Sequence, residues 1–182
     1  MSPRSLFVSI LTAVLGTGQF ARAQSRCGQA ALPPQARALL GERFPKWRIK
    51  LPSDLDDFDK QAWAQEHPKD CPGLAIGHFE DAIQVAYGLF LVPKSSAGSG
   101  SKLVVLAESK TAGGYVVRML AEERGPESGM VISKVPPGKY PGFDTTQSVR
   151  LKLDGLEAEW LEKSSVLYYW RNGKYRTLQT SD

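Results

Sequence analysis

Two segments near the end of the sequence decide the fold class: "VRLKLDGLEAEW" (residues 149–160) and "VLYYWRNGKYRTLQ" (residues 166–179). Apolar and polar residues alternate along much of both, a pattern typical of β-strands with one buried and one solvated face. An Asp-Gly pair starting at Asp154 and an Asn-Gly pair starting at Asn172 favour type I′ turns, whose two central residues need positive φ. The sequence therefore predicts two consecutive antiparallel hairpins.

The central part of the sequence predicts further strands. Five runs rich in β-branched and apolar residues lie between clusters of turn-forming residues. They are "LAIGHF" (74–79), "AIQVAYGLFLV" (82–92), "KLVVLAES" (102–109), "GYVVRMLAE" (114–122) and "MVISKV" (130–135). With the two hairpins, these runs predict an antiparallel meander sheet of seven to eight strands.

Two short helices are predicted before the strands. Residues 33–44 begin with two prolines suited to a helix start and carry apolar residues at helical spacing. A second helix is predicted to be capped by Ser53, with Asp56 reaching back in a box-like arrangement. Its predicted apolar face consists of Leu55, Phe58, Ala62 and Trp63. We therefore predict a single α+β domain over residues 24–182, with both N-terminal helices packed on the meander sheet.

Residues 1–23 have the three regions of a secretory signal peptide: Arg4 near the start, an apolar run from Leu6 to Leu15, and a small-x-small triplet ending at Ala23. The apolar run has roughly half the length that a membrane-spanning helix needs. We expect cleavage near Ala23 and a secreted or periplasmic protein that is not inserted in a membrane afterwards.

Charge excludes some partner classes. Residues 1–23 contain two arginines and no acid, so their removal lowers the formal net charge of +4 by two. A small and dispersed positive charge does not favour nucleic acid or an anionic membrane as a partner.

The two cysteines, Cys27 and Cys71, both follow the expected cleavage point. An even number of cysteines in an exported protein usually means pairing, so we predict a disulfide between them. The chain-entropy argument gives such a bridge a stabilisation of roughly 4 kcal/mol. The alternative, a catalytic or metal-binding thiol, lacks a CxxC motif and enough histidines to complete a site.

Residues 71–93 have the outline of a glycine-rich hairpin with an acidic loop. The outline is carried by Gly77, Phe79, Asp81, Tyr87 and Leu89–Val92. These residues resemble one repeat hairpin of the FG-GAP or VCBS type, as in small uncharacterised exported bacterial proteins. The resemblance implies a β-hairpin, and in that family the loop binds calcium.

Calcium at this loop is not expected. The ion takes six to eight oxygen ligands, whereas the loop offers the adjacent carboxylates of Glu80 and Asp81 and the amide of Gln84. We therefore expect the resemblance to hold for the hairpin and not for the metal, and we expect no cofactor.

Histidines are scarce, which limits metal chemistry. His67 and His78 are the only two in the sequence, and a zinc site usually has three or four protein ligands. A site built from His67, His78 and Asp81 would require the fold to bring all three together. The alternative is one histidine at a helix end and one at a strand end.

A carboxylate pair for glycoside hydrolysis could come from Glu157, Glu159 and Glu162. The alternation places Glu157 and Glu159 on one face of a strand, which an ordinary solvated face would also give. The sequence "GSGSK" (98–102) has the letters of a nucleophile turn, but it lies in a Gly/Ser-rich linker. We therefore assign no catalytic residues.

Aromatic and basic residues are concentrated in the last predicted hairpin, where exposed aromatic and arginine side chains would favour a binding surface. The alternative is core packing with a cross-strand ladder of tyrosines. The candidate binding residues are Tyr169, Arg171, Lys174, Tyr175 and Arg176.

Taken together, the sequence predicts an exported binding protein without enzymatic activity, whose partner is an envelope protein or polysaccharide. The loops at 93–101 and 136–144 are further candidate surfaces. The alternative function is a cell-envelope hydrolase that uses carboxylates or a histidine-based metal site.

Overall fold

The computed structural model describes residues 27–95, 97–109, 113–124, 129–144, 146–161 and 163–182. The predicted signal peptide, residues 1–23, lies outside these ranges. The helices are α1 (Pro34–Arg43) and α2 (Asp57–Glu66). The strands are β1 (Trp47–Ile49), β2 (Leu74–Gly77), β3 (Ala86–Pro93), β4 (Ser101–Glu108), β5 (Tyr115–Glu123), β6 (Met130–Val135), β7 (Lys139–Pro141), β8 (Ser148–Arg150), β9 (Gly155–Trp160), β10 (Ser164–Arg171) and β11 (Lys174–Ser181). No helix in the described ranges is long and apolar enough to cross a membrane.

These strands form three antiparallel sheets. Sheet A has five strands in the order β1-β3-β4-β5, with β2 also paired to β3. Sheet B has four strands in the order β11-β10-β9-β6, and β7 pairs with β8 in a separate hairpin. The predicted α+β class fits this architecture. The prediction of one meander sheet of seven to eight strands is wrong, because eleven strands in the described part of the chain are divided among three sheets.

The central strands of sheet A, β3 and β4, are buried on both faces, whereas the edge strand β5 is partly exposed. On one face, Phe90 and Val105 pack against Leu156 of sheet B. On the other face, Leu89 packs with Leu40 of α1. Strands with two buried faces consist of nearly continuous apolar residues, which explains why β3 and β4 do not alternate.

Sheet B is buried on its inner face by sheet A and only partly covered on its outer face. Helix α2 places Trp63 in a buried cluster with Val131 of β6. The β7–β8 hairpin places Val149 in another buried cluster with Leu167 of β10. The two predicted helices therefore pack on different sheets and not on one. The part of the outer face of sheet B that neither α2 nor the β7–β8 hairpin covers is exposed to solvent.

The predicted disulfide between Cys27 and Cys71 is present, with an S–S distance of 2.04 Å. Both cysteines belong to the apolar cluster between α1 and sheet A, and Cys71 forms an isolated β-bridge with Leu74 at the start of β2. The bridge therefore ties the segment before α1 to the edge of sheet A.

Helix α2 begins later than predicted. Its N-cap is Asp56, whose side chain accepts the backbone N–H of Asp59 at 2.8 Å. Ser53 instead lies in a short 3₁₀ turn, Pro52–Asp54. The Asp54 carboxylate stabilises that turn because it accepts the Leu51 N–H at 2.7 Å and pairs with the Arg48 guanidinium.

One of the two predicted hairpin turns is present. Asn172 and the glycine after it have φ values of 53° and 78°, as a type I′ turn requires. The turn predicted at Asp154 is wrong, because β8 pairs with β7 while β9 pairs with β6 and β10. There the Asp154 carboxylate accepts the backbone N–H of His78 at 2.8 Å and so joins the start of β9 to the end of β2.

Candidate functional site

The β10–β11 hairpin divides the candidate binding residues between its two faces. Directly opposite residues in an antiparallel pair project to the same side. Tyr169 pairs with Arg176 and Arg171 with Lys174, and Tyr169 packs with the outer cluster under the β7–β8 hairpin. Four of the five candidates therefore lie on the outer face of sheet B. The fifth, Tyr175, lies on the inner face.

Arg171, Lys174 and Arg176, which we call the cationic face, are all exposed. None of the three forms an ion pair or a side-chain hydrogen bond with any part of the described chain. Arg171 and Lys174 are moreover directly opposite each other, an arrangement in which like charges destabilise a sheet. The cationic face is thus a concentration of positive charge that no acid of the described ranges neutralises.

A shallow concavity of about 640 Å³ adjoins the cationic face. Its lining includes Tyr169, Tyr175 and Thr177 together with the two arginines. The Tyr169 ring is half-buried and packs against the apolar cluster under the β7–β8 hairpin. The concavity therefore has an aromatic floor and charged walls.

On the inner face, Tyr175 contacts Trp170 edge-to-face, with ring centroids 5.0 Å apart. The Tyr175 hydroxyl is buried without a hydrogen bond of normal geometry. Burial, and then the negative charge of Glu80, raise the pKa of Tyr175 above its ordinary value. An interaction of the hydroxyl with the Glu80 carboxylate adds to this rise in the pKa, so the hydroxyl stays protonated.

Beside Trp170 lies a second concavity of about 410 Å³, which we call the edge cleft. Arg118 of β5 donates to both carboxylate oxygens of Glu80, at 3.3 and 3.4 Å, and its guanidinium lies 5.5 Å from the centre of the Trp170 ring. Glu80 is the more buried partner, with 13% of its side chain exposed against 43% for Arg118. The cleft thus combines an aromatic ring with a charged hydrogen-bonding pair.

The acidic loop between β2 and β3 uses its carboxylates within the protein. Asp81 accepts the backbone N–H of Ile83 at 2.8 Å and that of Gln84 at 3.2 Å. Glu80 pairs with Arg118. Across the described ranges, no group of three histidine, cysteine, aspartate or glutamate residues is arranged to hold a metal ion.

The two histidines have different neighbours. His67 ends α2 and stacks on Trp63, with ring centroids 4.1 Å apart. His78 follows β2, and its Nδ1 lies 3.2 Å from the carbonyl oxygen of Gln84. The hypothetical site that needed both histidines and Asp81 is therefore not assembled.

Glu157 and Glu159 both project from β9 to the outer face of sheet B, as the alternation predicts. Glu157 accepts a hydrogen bond from the Thr180 hydroxyl at 2.9 Å. Burial, and then the charge of Glu157, raise the pKa of Glu159, while His67 opposes the shift. The third candidate, Glu162, lies outside the described residues.

The chain matches no protein-family model, no curated protein and no solved structure. The resemblance of residues 71–93 to an FG-GAP or VCBS hairpin stays a prediction. Function must therefore be argued from the geometry of the residues themselves.

Arg118 and Trp170 line the edge cleft, and no sequence pattern assigned them to a site. Arg118 is the one charged residue within the apolar run of β5 from Tyr115 to Ala121. A charged residue that interrupts an apolar strand is the sequence feature that could have marked it as a candidate site residue. That Arg118 faces Glu80 and Trp170 depends on the packing of sheet A against sheet B, which no local pattern shows.

Proposed function

We propose that this protein is an exported binding protein that binds an acidic polysaccharide of the cell envelope through its C-terminal hairpin. The observation that carries the proposal is the cationic face, where three cations share one surface and none pairs with an acid among the described residues. A bound anion would offset the repulsion between Arg171 and Lys174. Export is supported by the pattern of residues 1–23 and by the disulfide between Cys27 and Cys71.

The composition of the surface favours a sugar chain over a protein as the partner. Stable protein interfaces have an apolar core surrounded by a polar rim. None of the large exposed apolar side chains of the described residues belongs to the cationic face. Val85 lines the edge cleft and Met119 lies on β5 near it, and the others are Phe58, Ile76, Ile83, Phe143 and Trp160. The cationic face instead offers charges and one fixed tyrosine ring, which suit the acid groups and the apolar face of a sugar.

The proposal is tested with the double variant Arg171→Gln/Arg176→Gln and polygalacturonate as the probe, by isothermal titration calorimetry. We expect binding to weaken about tenfold, because two exposed charge pairs contribute up to about 1 kcal/mol each. The matched control, Arg43→Gln/Lys46→Gln, removes two exposed cations near the end of α1 and should bind as the wild type does. Equal weakening in both variants would show a non-specific charge effect, and no binding by the wild type would overturn the proposal.

The alternative function, a cell-envelope hydrolase, would use Glu157 and Glu159. The hydrogen bond of Glu157 and the raised pKa of Glu159 resemble the asymmetry of an acid–base pair. The concavities described above are not lined by either residue, so we prefer binding. Release of reducing ends from the polysaccharide by the wild type, abolished in Glu159→Gln, would reverse that preference.

A further inference from the structure

We infer that the polysaccharide is bound as an extended chain in one continuous groove that passes around the free edge of β11, from the cationic face to the edge cleft. This inference rests on the proposed function. It adds that the ligand is a linear polymer contacted over several sugar units, and that Arg118 and Trp170 form a second contact region.

The continuity of the groove follows from shared lining residues. A third concavity, of about 470 Å³, lies between the edge strands β5 and β11. It shares Arg118 and Trp170 with the edge cleft. It shares Tyr175 and Thr177 with the concavity at the cationic face. The three concavities therefore adjoin in sequence, with the edge of β11 between the two outermost ones.

The edge of β11 supplies free backbone groups where the groove crosses it. In a two-residue hairpin the residue pair next to the turn, here Arg171 and Lys174, is hydrogen-bonded, and the following pairs alternate. Tyr175 and Thr177 therefore direct their backbone N–H and C=O groups away from β10. Within the described ranges, neither residue makes a further backbone hydrogen bond at this edge. These groups are suitable partners for sugar hydroxyls.

The edge cleft supplies the chemistry for a neutral part of a sugar. Trp170 offers an aromatic ring, and the side chains of Glu80, Asp81, Glu108 and Arg118 offer hydrogen-bond acceptors and donors. Because three of these four charged side chains are acids, this end of the groove suits an uncharged sugar unit better than an acidic one. The groove thus changes along its length from charge recognition to hydroxyl recognition.

The direction of the groove distinguishes a sugar chain from a peptide. A peptide that extends a sheet runs along the edge strand and bonds to it residue by residue. The groove instead passes from the inner to the outer side of the hairpin, across the edge at Tyr175 and Thr177. A ligand that follows it contacts this edge at one point only.

The test measures binding of hyaluronan oligomers, in which an acidic sugar alternates with a neutral one, from the dimer to the hexamer by isothermal titration calorimetry. We expect affinity to rise with length, because longer chains reach the edge cleft. Trp170→Ala should weaken binding of the longest oligomer about fivefold and leave the shortest binding oligomer unchanged, since an aromatic contact contributes about 1 kcal/mol. Arg118→Gln should show the same dependence on length, and it covers the case in which Trp170→Ala does not fold.

The outcomes separate the two proposals. If all lengths bind equally well, or if both variants weaken all lengths equally, the groove inference is wrong while the cationic face remains supported. If no oligomer and no polygalacturonate binds, the proposed function itself is wrong. Glycerol phosphate oligomers identify whether phosphate replaces carboxylate as the preferred acid. Tighter binding of poly-glutamate than of the hexamer would overturn the inference in favour of an acidic peptide.

Discussion

Sheet A and the outer face of sheet B are both built from antiparallel strands, but one is mostly buried and the other is largely exposed. Sheet A is covered by α1 on one side and by sheet B on the other, and its residues Leu89 and Val104 are completely buried. The outer face of sheet B carries Glu157, Glu159 and the cationic face, and its two covers leave much of it open. Stability is therefore concentrated in sheet A, whereas the groups able to recognise a ligand are concentrated on the hairpin of sheet B.

Under the proposed function, this difference separates the residues that stabilise the fold from those that bind the ligand. Residues that bury apolar surface have no charge to offer a ligand, and unpaired charges contribute no packing. Placing them on different sheets lets the cationic face keep its repulsion without weakening the core. The following changes test that separation, from the largest expected effect to the smallest.

Removing the disulfide should have the largest effect. The variant Cys27→Ser/Cys71→Ser loses a cross-link over a sequence separation of 44 residues, and we expect unfolding to require about 4 kcal/mol less free energy. Urea denaturation measures the loss. Wild-type protein treated with reductant is the control and should reproduce it, while binding to polygalacturonate below the transition should not change.

A fully buried leucine of sheet A and a half-buried leucine on the outer face of sheet B compare the packing of the two regions. Leu89 has no exposed surface, and Leu178 of β11 is half-buried. We expect Leu89→Ala to cost about 3 kcal/mol and Leu178→Ala about 1 kcal/mol, because the cavity left behind is larger where the surroundings are fully packed. Urea denaturation of both variants checks the order, and equal losses would contradict the assignment of stability to sheet A.

Reversing one charge on the cationic face should raise stability and lower binding together. Lys174→Glu turns the pair with Arg171 from repulsive to attractive, so we expect a gain of about 0.5 kcal/mol. The same change places an acid where the polysaccharide acid would bind. Thermal unfolding and calorimetry measure the two effects, with Lys46→Glu as the control. If the variant gained stability and kept full affinity, the repulsion between Arg171 and Lys174 would have no role in binding.

Two acids should show pH dependence of opposite sign. Burial raises the pKa of Glu159 above 4.5, so the folded state binds the proton more tightly than the unfolded state does. The contribution of Glu159 to the free energy of unfolding therefore falls as pH rises from its unfolded-state pKa through its folded-state pKa. Glu159→Gln should therefore be more stable than the wild type at pH 7 and equal to it well below pH 4.5.

Asp54, which lies near sheet A, is the matched comparison. Burial alone would raise its pKa, but the hydrogen bonds from Arg48 and Leu51 outweigh burial and lower it. Its stabilising contribution is present at neutral pH and is lost as pH falls. Asp54→Asn should therefore be less stable than the wild type at pH 7, and the difference should shrink in acid. Urea denaturation across the pH range measures both variants.

The sequence predicts the local structure better than its assembly. The apolar runs give the central strands, and the positive φ needed at Asn172 gives the last turn, because both depend on neighbouring residues alone. The hairpin predicted at Asp154 is wrong because the carboxylate bonds to His78, more than seventy residues earlier in the chain. Division into three sheets likewise depends on long-range pairing.

The candidate site could be predicted only in part, because it too combines local patterns with long-range packing. Alternation placed Tyr169 and Trp170 on opposite faces of one strand, and the register of β10 and β11 agrees. That Arg171, Lys174 and Arg176 have no acid partner within the described part of the chain depends on which residues lie near them in space. Arg118 could join Trp170 and Glu80 only after the two sheets had packed together.

The bridge between Cys27 and Cys71 encloses both helices in one covalent ring, although α1 covers sheet A and α2 covers sheet B. A protease that cuts one peptide bond between residues 27 and 71 opens this ring without dividing the molecule, because the two new ends remain joined through sulfur. Both helices stay attached to the sheets that they cover until the bridge is reduced. A single proteolytic cut between residues 27 and 71 therefore leaves both helices covalently attached to the rest of the molecule.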